Sequence, residues 1–217
     1  DAIAHVVRCF EDENITHVEG DVNPKRDIDI IKTELLIADI DVLERALQRA
    51  QKGAKGGDKS VKEKADVIQV LLDHVSDGKP LRDSLDENPA YRVAVAEYLL
   101  LTDKPVLYVA NVDEDSINGN KYVDVVKEIA AAEGAKVVIL CGKIEADLLE
   151  LEEEEAQEYL QSLGLERPGL ENLIREGYDL LGLVTYFTAG EKEVRAWTVE
   201  KNTTAQKAAG KIHSDIE

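Results

Sequence analysis

The chain has 217 residues and a formal net charge of −19 at pH 7, with a pI near 4.6. This length can bury a sizeable core, and we expect two or three structural units. Phosphate binding needs a basic footprint, so an acidic chain cannot wrap DNA or RNA as a whole, and any nucleic-acid contact must be local. Two cysteines give no disulfide framework, and no apolar run approaches the roughly 20 residues that cross a bilayer. We therefore expect a soluble, cytoplasmic protein with no membrane and no DNA partner.

The first apolar run, from Ala4 to Phe10, is short and rich in β-branched residues, and acidic residues follow it. It predicts a buried strand that ends in a loop. No helix precedes this strand, so we expect further strands of its sheet upstream. The sequence contains no methionine, starts at Asp1 and ends at Glu217 without any stop signal. We therefore expect a piece of a longer protein, truncated at both ends.

Two long helical patterns come next and predict an antiparallel helical hairpin. Asn23-Pro24 predicts a helix start, and the helix should run to about Gln51, where a segment rich in lysine and glycine breaks it. Its apolar stripe consists of Ile28, Ile31, Leu35, Ala38 and Val42. A capping box at residues 60–63, with Ser60 as the cap, predicts the second helix. Its stripe is Val61, Ala65, Ile68, Leu72 and Val75. We expect the two stripes to bury one another with little help from the sheet, which would make the hairpin separable.

A βαβ unit follows the hairpin. A helix from about Pro89 to Leu101 leads into an apolar strand that ends at Asn111. A helix from about Tyr122 to Glu133 then precedes a second apolar strand that ends at Cys141. Continuous apolar strands joined by a helix indicate a parallel sheet, whose ligands bind beyond the carboxyl ends of its strands.

The last third of the chain differs from the rest in composition and in its pattern of apolar residues. The acidic run from Glu150 to Glu158 predicts a solvated helix face. From about Gly182, two β-rich segments around a turn at Ala189-Gly190 predict a β-hairpin that starts a second domain. The predicted domains are a first strand and loop at 1–22, the helical hairpin at 23–80, the rest of the main domain at 81–180, and the start of a β-rich domain at 181–217.

Two loops leave the paired strands at the edge where such a sheet holds its ligand: residues 111–114, which are Asn-Val-Asp-Glu, and residues 141–145. In guanine-specific P-loop GTPases the first loop is Asn-Lys-x-Asp, and its carboxylate accepts two hydrogen bonds from guanine. Here Val112 replaces the lysine and Glu114 the aspartate. Adenine has an acceptor where guanine has its ring N–H, so a misplaced carboxylate relaxes the selection of guanine. Taken alone, the four residues are equally compatible with an ordinary turn.

Motifs in a fixed order give this loop its context. They are residues 5–11 (His-Val-Val-Arg-Cys-Phe-Glu), 22–24 (Val-Asn-Pro), 33–35 (Thr-Glu-Leu), 52–58 (Lys-Gly-Ala-Lys-Gly-Gly-Asp), 110–114 (Ala-Asn-Val-Asp-Glu), 187–190 (Phe-Thr-Ala-Gly), 193–198 (Glu-Val-Arg-Ala-Trp-Thr) and 208–213 (Ala-Ala-Gly-Lys-Ile-His). Through nearly its whole length the chain resembles the Obg-like ATPases, also called the YchF family, within the translation-factor-related P-loop hydrolases.

The resemblance implies an α/β fold with a partial P-loop NTPase-type parallel sheet, an inserted antiparallel helical hairpin and the start of a TGS domain. It also implies an ATPase that prefers ATP over GTP and associates with the ribosome or a ribosomal subunit. The family's Asn-x-x-Glu signature corresponds to Asn111 and Glu114. By the same resemblance, the backbone of Val112 lies against adenine, and Cys141 and Gly142 offer backbone N–H groups to the base.

One departure from the family is large. No Gly-x-x-x-x-Gly-Lys-Ser/Thr sequence occurs in the chain, so its residues include no phosphate loop. We expect Mg²⁺ to be held by residues outside this chain, no catalytic or metal-binding residue within it, and no hydrolysis by this piece alone. Two alternatives stay open: a strict Obg-type GTPase, and a non-catalytic module that docks to the ribosome.

Two surfaces are candidates for local RNA contact. The predicted hairpin tip carries Lys52, Lys55, Lys59, Lys62 and Lys64, which form either a basic contact patch or a solvated tip. In the C-terminal part, Arg195 and Trp197 suit RNA stacking or an ordinary strand. Four scattered histidines, His5, His17, His74 and His213, lack the spacing of zinc ligands.

Overall fold

The computed structural model describes residues 1–15, 20–54, 58–191 and 193–213. Its main sheet has three parallel strands in the order β1 (Ile3–Arg8), β2 (Val106–Asn111) and β3 (Lys136–Leu140). Residues 107–110 of the central strand are all buried, which explains why its sequence is continuously apolar. The register pairs Arg8 with Asn111, and Asn111 with Leu140. The three strands therefore end side by side.

Helix α5 (Lys121–Ala132) connects β2 to β3 and confirms the predicted βαβ unit. The side chain of Asn120 caps this helix, since its Oδ1 accepts the backbone N–H groups of Tyr122 and Val123 at 3.0 Å each. Val123, Val126 and Ala130 of α5 are buried in the same core as the central strand.

Helices α1 (Pro24–Ala54) and α2 (Lys59–Ser76) form the predicted hairpin, but the predicted stripe of α1 is wrong in part. Ile28 packs into the core of the sheet, and Ile31 is exposed. The contact with the hairpin core begins further along the helix, with partly buried Leu36, Ile40 and Val42, and Leu43 is its first fully buried residue in α1. It continues through Ala46, Leu47 and Ala50, which face Ala65, Ile68, Leu71 and Val75. At about 1.5 Å per residue, α1 is about 46 Å long, so one helix serves two cores.

The sequence had suggested that the hairpin is a separate unit, but in the structure it shares its core with other helices. Its core extends into the two helices that follow it, α3 (Leu81–Glu87) and α4 (Pro89–Val95), through buried Leu81, Leu85 and Val95. A deletion of residues 25–78 would remove part of the core of the sheet together with the hairpin.

The start of α2 also differs from the prediction. Its cap is Asp58, whose Oδ1 accepts the backbone N–H of Ser60 at 2.9 Å and the Ser60 hydroxyl at 2.8 Å. Asp58 is the N-cap because its carboxylate lies outside the helix and accepts hydrogen bonds from both donors of Ser60. Residues 60–63 therefore do not form the predicted capping box.

The helix predicted from Pro89 to Leu101 is shorter, and α3 before it was missed. Helix α4 ends at Val95, a single 3₁₀ turn follows at Ala96–Tyr98, and Leu99 adopts a left-handed conformation with φ of 51°. A left-handed residue stops a helix, so the next segment is free to enter β2.

Three helices follow β3: α6 (Gly142–Leu148), α7 (Glu153–Ser162) and α8 (Gly169–Leu180). The acidic run lies largely in α7, whereas α6 and α8 were not predicted. The C-terminal part is an antiparallel hairpin of β4 (Leu183–Ala189) and β5 (Val194–Glu200), followed by α9 (Ala205–Ile212). The hydroxyl of Tyr186 donates to the carbonyl oxygen of Ala208 at 2.6 Å and joins α9 to the hairpin.

The fold class predicted from the sequence, a partial parallel sheet of the P-loop NTPase type with an inserted helical hairpin and the start of a β-rich C-terminal unit, is confirmed. The four domain boundaries stay predictions. Within the described ranges, no helix is long and apolar enough to cross a membrane.

Candidate functional site

The candidate site lies at the carboxyl edge of the parallel sheet, where β2 ends at Asn111 and β3 ends at Leu140. The Oδ1 atom of Asn111 accepts the backbone N–H of Gly142 at 3.0 Å. The backbone N–H of Val112 donates to the carbonyl oxygen of Leu140 at 2.9 Å. Two hydrogen bonds thus fasten the loop after β2 to the loop after β3.

A glycine fits the position that receives Asn111. A Cβ atom at residue 142 would come within 3.4 Å of Asn111 Oδ1, at the tight end of ordinary contacts. A larger side chain would crowd the amide that links the two loops. Gly142 also starts α6, so the link is made where the second loop turns into a helix.

The remaining predicted site residues have different surroundings. Val112 and Cys141 are buried and belong to the core of the sheet, so their side chains fix the loops from beneath. The carbonyl oxygen of Cys141 accepts the backbone N–H of Glu145 at 3.1 Å in the first turn of α6. Glu114 is partly exposed and opens a 3₁₀ turn, Glu114–Ser116. The structure therefore brings all five predicted residues into two neighbouring loops.

Lys143 is a residue of the site that the sequence did not reveal. Its Nζ atom lies 2.6 Å from Oε2 of Glu114, and this ion pair spans the two loops. The hydrogen bond with Glu114 raises the pKa of Lys143, and the charge of Glu114 adds to the effect, so the ammonium stays charged. The only signal in the sequence is a lysine directly after Gly142, opposite a carboxylate in the other loop.

Asn120 was also missed, and it connects a third loop. Besides capping α5, its Nδ2 donates to the carbonyl oxygen of Cys9 at 2.7 Å. The backbone N–H of Cys9 in turn donates to the carbonyl oxygen of Asn111 at 2.8 Å. The loops after all three strands are therefore joined by hydrogen bonds. The sequence signal for Asn120 was its place directly before a helical run, which indicates a cap.

Asp113 has an unusual carboxylate. Its Oδ1 atom is buried and has no hydrogen-bond partner among the described residues. A buried acceptor without a donor costs about 1 to 3 kcal/mol, so this atom is suited to a donor supplied by a ligand or a water molecule. The loops therefore present one orphaned carboxylate oxygen and one paired carboxylate as hydrogen-bond acceptors, which suits a planar heterocycle that carries N–H groups.

Within the described ranges, no group of three or more His, Cys, Asp or Glu side chains could hold a metal ion. A cavity of about 390 Å³ lies at the opposite, amino-terminal edge of the sheet, beside Ile3 and Val106, and is remote from the loops.

The two candidate contact surfaces differ from their predicted form. Lys64 pairs with Glu97, and its ammonium lies 5.2 Å from the centre of the Tyr98 ring, so it faces the body of the protein. Lys52, Lys59 and Lys62 are exposed near the tip, whereas Lys55 lies outside the described residues. On β5, the guanidinium of Arg195 stacks 4.3 Å from the centre of the Trp197 ring.

Comparisons with known proteins find similar sequences over the whole chain. The sequence is 53% identical over 217 residues to the ribosome-binding ATPase YchF of Escherichia coli O157:H7 and 47% identical over 220 residues to that of Bacillus subtilis. Both alignments cover all of this chain and 60% of the relative, so the chain spans three fifths of the length of these curated relatives.

A solved structure and a family model agree with these relatives. The structure of the Schizosaccharomyces pombe YchF GTPase is similar with a TM-score of 0.84 and 36% identity, over 99% of this chain and 59% of that one. The family model YchF-GTPase_C, described as a protein of unknown function (DUF933), matches residues 183–217.

Together, the parallel sheet, the paired loops at its carboxyl edge and the structural match define an α/β protein of the P-loop NTPase type. The inserted helical hairpin and the family-model match at residues 183–217 define the class of protein more closely. The chain belongs to the YchF family, the Obg-like ATPases.

Proposed function

We propose that this chain forms the base-recognising part of a ribosome-associated purine-nucleotide hydrolase that accepts ATP in preference to GTP. The observation that carries the proposal is the hydrogen bond from Gly142 N–H to Asn111 Oδ1. It fastens two loops at the edge of the sheet where nucleotides bind in α/β proteins. Relatives at 53% and 47% identity that are named ribosome-binding ATPases support the same assignment.

Adenine suits these loops because the carboxylate at the position where GTPases read guanine is already engaged. Guanine presents a ring N–H and an exocyclic amine that require an in-plane carboxylate with both oxygens available. The one carboxylate at the corresponding position, Glu114, is engaged by Lys143. Adenine instead needs mainly flat contact, which the two loops can offer although the N–H groups of Val112 and Gly142 are engaged by Leu140 and Asn111.

ATP, when bound, supplies the phosphoryl bond that is hydrolysed, and the residues of this chain bind and orient its base. Asn111 holds the two loops in register, while buried Val112 and Cys141 keep them rigid beneath the base. The phosphate-loop signature does not occur in the sequence, so we assign phosphate and Mg²⁺ binding to residues outside this chain.

A titration of the full-length protein with ATP and GTP tests the proposal. Asn111→Ala should weaken the binding of both nucleotides by about tenfold or more, because it leaves the Gly142 N–H unpaired and frees the second loop. Asn172→Ala, an exposed change on α8, is the matched control and should leave both affinities intact. Equal affinities in the folded Asn111 variant and the control would place the base elsewhere.

The strict GTPase remains the competing function, and the name of the S. pombe neighbour, a YchF GTPase, favours it. The double variant Val112→Lys with Glu114→Asp separates the two. The shorter aspartate could accept two hydrogen bonds from guanine, each worth about 1.5 to 3 kcal/mol, so the preference should move toward GTP by about tenfold or more. A wild-type protein already selective for GTP would establish the competing function.

Ribosome association is the second part of the proposal, and it places the site of action in the cytoplasm. We assign it to local positive charge at the hairpin tip, since the chain as a whole is acidic. Replacing Lys52 and Lys59 with glutamate should weaken co-sedimentation with ribosomes and flatten its salt dependence. Lys127→Glu, an exposed change on α5, controls for total charge. Unchanged binding of the tip variant across a salt series would exclude the tip, and binding without any nucleotide hydrolysis would favour the docking module.

A further inference from the structure

We propose that Lys143 determines how much GTP the site accepts, by holding the carboxylate of Glu114 away from a guanine base. This inference rests on the function proposed above and adds a positioning residue to it. The geometry is an ion pair of 2.6 Å between Lys143 Nζ and Glu114 Oε2, which joins the start of α6 to the turn after β2.

The pair competes directly with guanine. Two parallel hydrogen bonds from the guanine ring N–H and its amine need both oxygens of one carboxylate in the plane of the base. Lys143 occupies Oε2 and fixes the direction of the side chain. A guanine base must therefore break the ion pair before it gains its second hydrogen bond, whereas adenine offers no donor to this carboxylate and gains nothing from breaking it.

The exposure of the pair sets the size of the effect. The side chains of Lys143 and Glu114 are 67% and 40% exposed, so water and salt screen their attraction. Exposed ion pairs of this kind shift an equilibrium by a factor of about two to five. Lys143 therefore lowers GTP affinity without abolishing it, and the site discriminates against GTP only partially.

The charge of Lys143 does not depend on Glu114 alone. The charge of Asp147 also raises the pKa of Lys143 and favours its ammonium form. Glu114 has no other cationic partner than Lys143 among the described residues. Removing the lysine frees the carboxylate, so the effect should appear in GTP binding first.

The test measures ATP and GTP affinities of the full-length protein and five variants. Lys143→Met removes the ammonium and keeps the length of the side chain, and it should strengthen GTP binding by about two- to fivefold with ATP binding unchanged. Lys143→Arg should restore the wild-type ratio, because arginine also binds a carboxylate. In the background of Glu114→Gln, Lys143→Met should no longer change the ratio. Lys127→Met removes the same charge from the exposed face of α5 and should have no effect.

Salt provides an independent readout that a merely structural role would not move. Both nucleotides carry the same triphosphate, so its salt dependence cancels in the ratio of the two affinities. Between about 0.05 and 0.5 M salt, the wild-type ratio should drift toward that of Lys143→Met, while the variant's ratio stays level. An unchanged ratio in folded Lys143→Met, with ATP binding still dependent on Asn111, would overturn this inference alone. Loss of the dependence on Asn111 would overturn the proposed function as well.

Discussion

Asp39 anchors the helical hairpin to the part of the molecule that carries the parallel sheet. It lies in the middle of α1 and is only 1% exposed. Its carboxylate accepts the backbone N–H groups of Leu101 and Thr102 and the hydroxyl of Thr102, each at 2.7 Å. The same Thr102 oxygen accepts the backbone N–H of Leu81 at 3.1 Å. One carboxylate thereby joins α1 to the segment before β2 and, through Thr102, to the start of α3.

We expect Asp39→Ala to lower the free energy of unfolding by about 3 kcal/mol or more. Both donors of Thr102 are in buried hydrogen bonds, and each buried donor left unpaired costs about 1 to 3 kcal/mol. The Leu101 N–H is only partly buried, so water can replace its bond at a smaller cost. Asp39→Asn should fall between the wild type and alanine, because its amide keeps one acceptor oxygen.

Urea unfolding followed by circular dichroism measures these differences. Asp41→Ala is the matched control, since Asp41 is exposed on the same helix and should change stability by less than about 0.5 kcal/mol. A cycle that combines Asp39→Ala with Thr102→Val should show non-additive losses, because the two side chains share one network. A loss for Asp39→Ala as small as that of Asp41→Ala would refute the assignment of these hydrogen bonds.

Two further predictions concern α8 and its contacts. Gly169→Ala should destabilise the protein by about 1 to 3 kcal/mol in thermal or urea unfolding, because its Cβ would lie 2.6 Å from the Cβ of Leu140. In the same helix, Gly177→Ala meets nothing within 4 Å and should be neutral or stabilising by up to about 1 kcal/mol; a reversed order would contradict the packing. Hydrogen bonds from Lys136 and Lys201 lower the pKa of Asp179 to about 2. Because the pKa of Asp179 is lower in the folded state, its ion pairs contribute fully to the free energy of unfolding above about pH 4, and this contribution is lost as the pH falls toward 2. Asp179→Asn should therefore make stability depend less on pH in the acid range. An unchanged pH dependence would contradict the pairing.

The position of the candidate loops could be predicted from the sequence because it follows from strand geometry. Two apolar strands joined by a helix must run parallel, and their carboxyl ends must meet at one edge. Asn111 and Gly142 therefore had to be neighbours, and they are linked by a hydrogen bond. That these residues bind a purine base stays a prediction.

Other features depended on contacts that no local pattern contains. Asp39 fits the polar side of a helical stripe, yet it is buried because its donors come from residues 62 and 63 positions later in the chain. Ile28 continues the apolar stripe of α1, but the sheet rather than α2 covers it. Helical periodicity shows that a face is buried without showing what buries it. The Lys143–Glu114 pair was missed for the same reason, since only the fold brings the two loops together.

Helix α1 contributes residues to two cores and so connects the hairpin physically to the candidate site. Near its start, Ile28 packs in the core that also contains Val112 and Cys141, which lie beneath the two loops. Near its end, the same helix reaches the exposed lysines of the tip. A continuous helix is stiff over this length, so a tilt imposed at the tip must be absorbed at the Asp39 anchor or passed to the core around Ile28. The Asp39 anchor therefore joins α1 to the segment that leads into β2 by buried hydrogen bonds, between the tip and the core around Ile28.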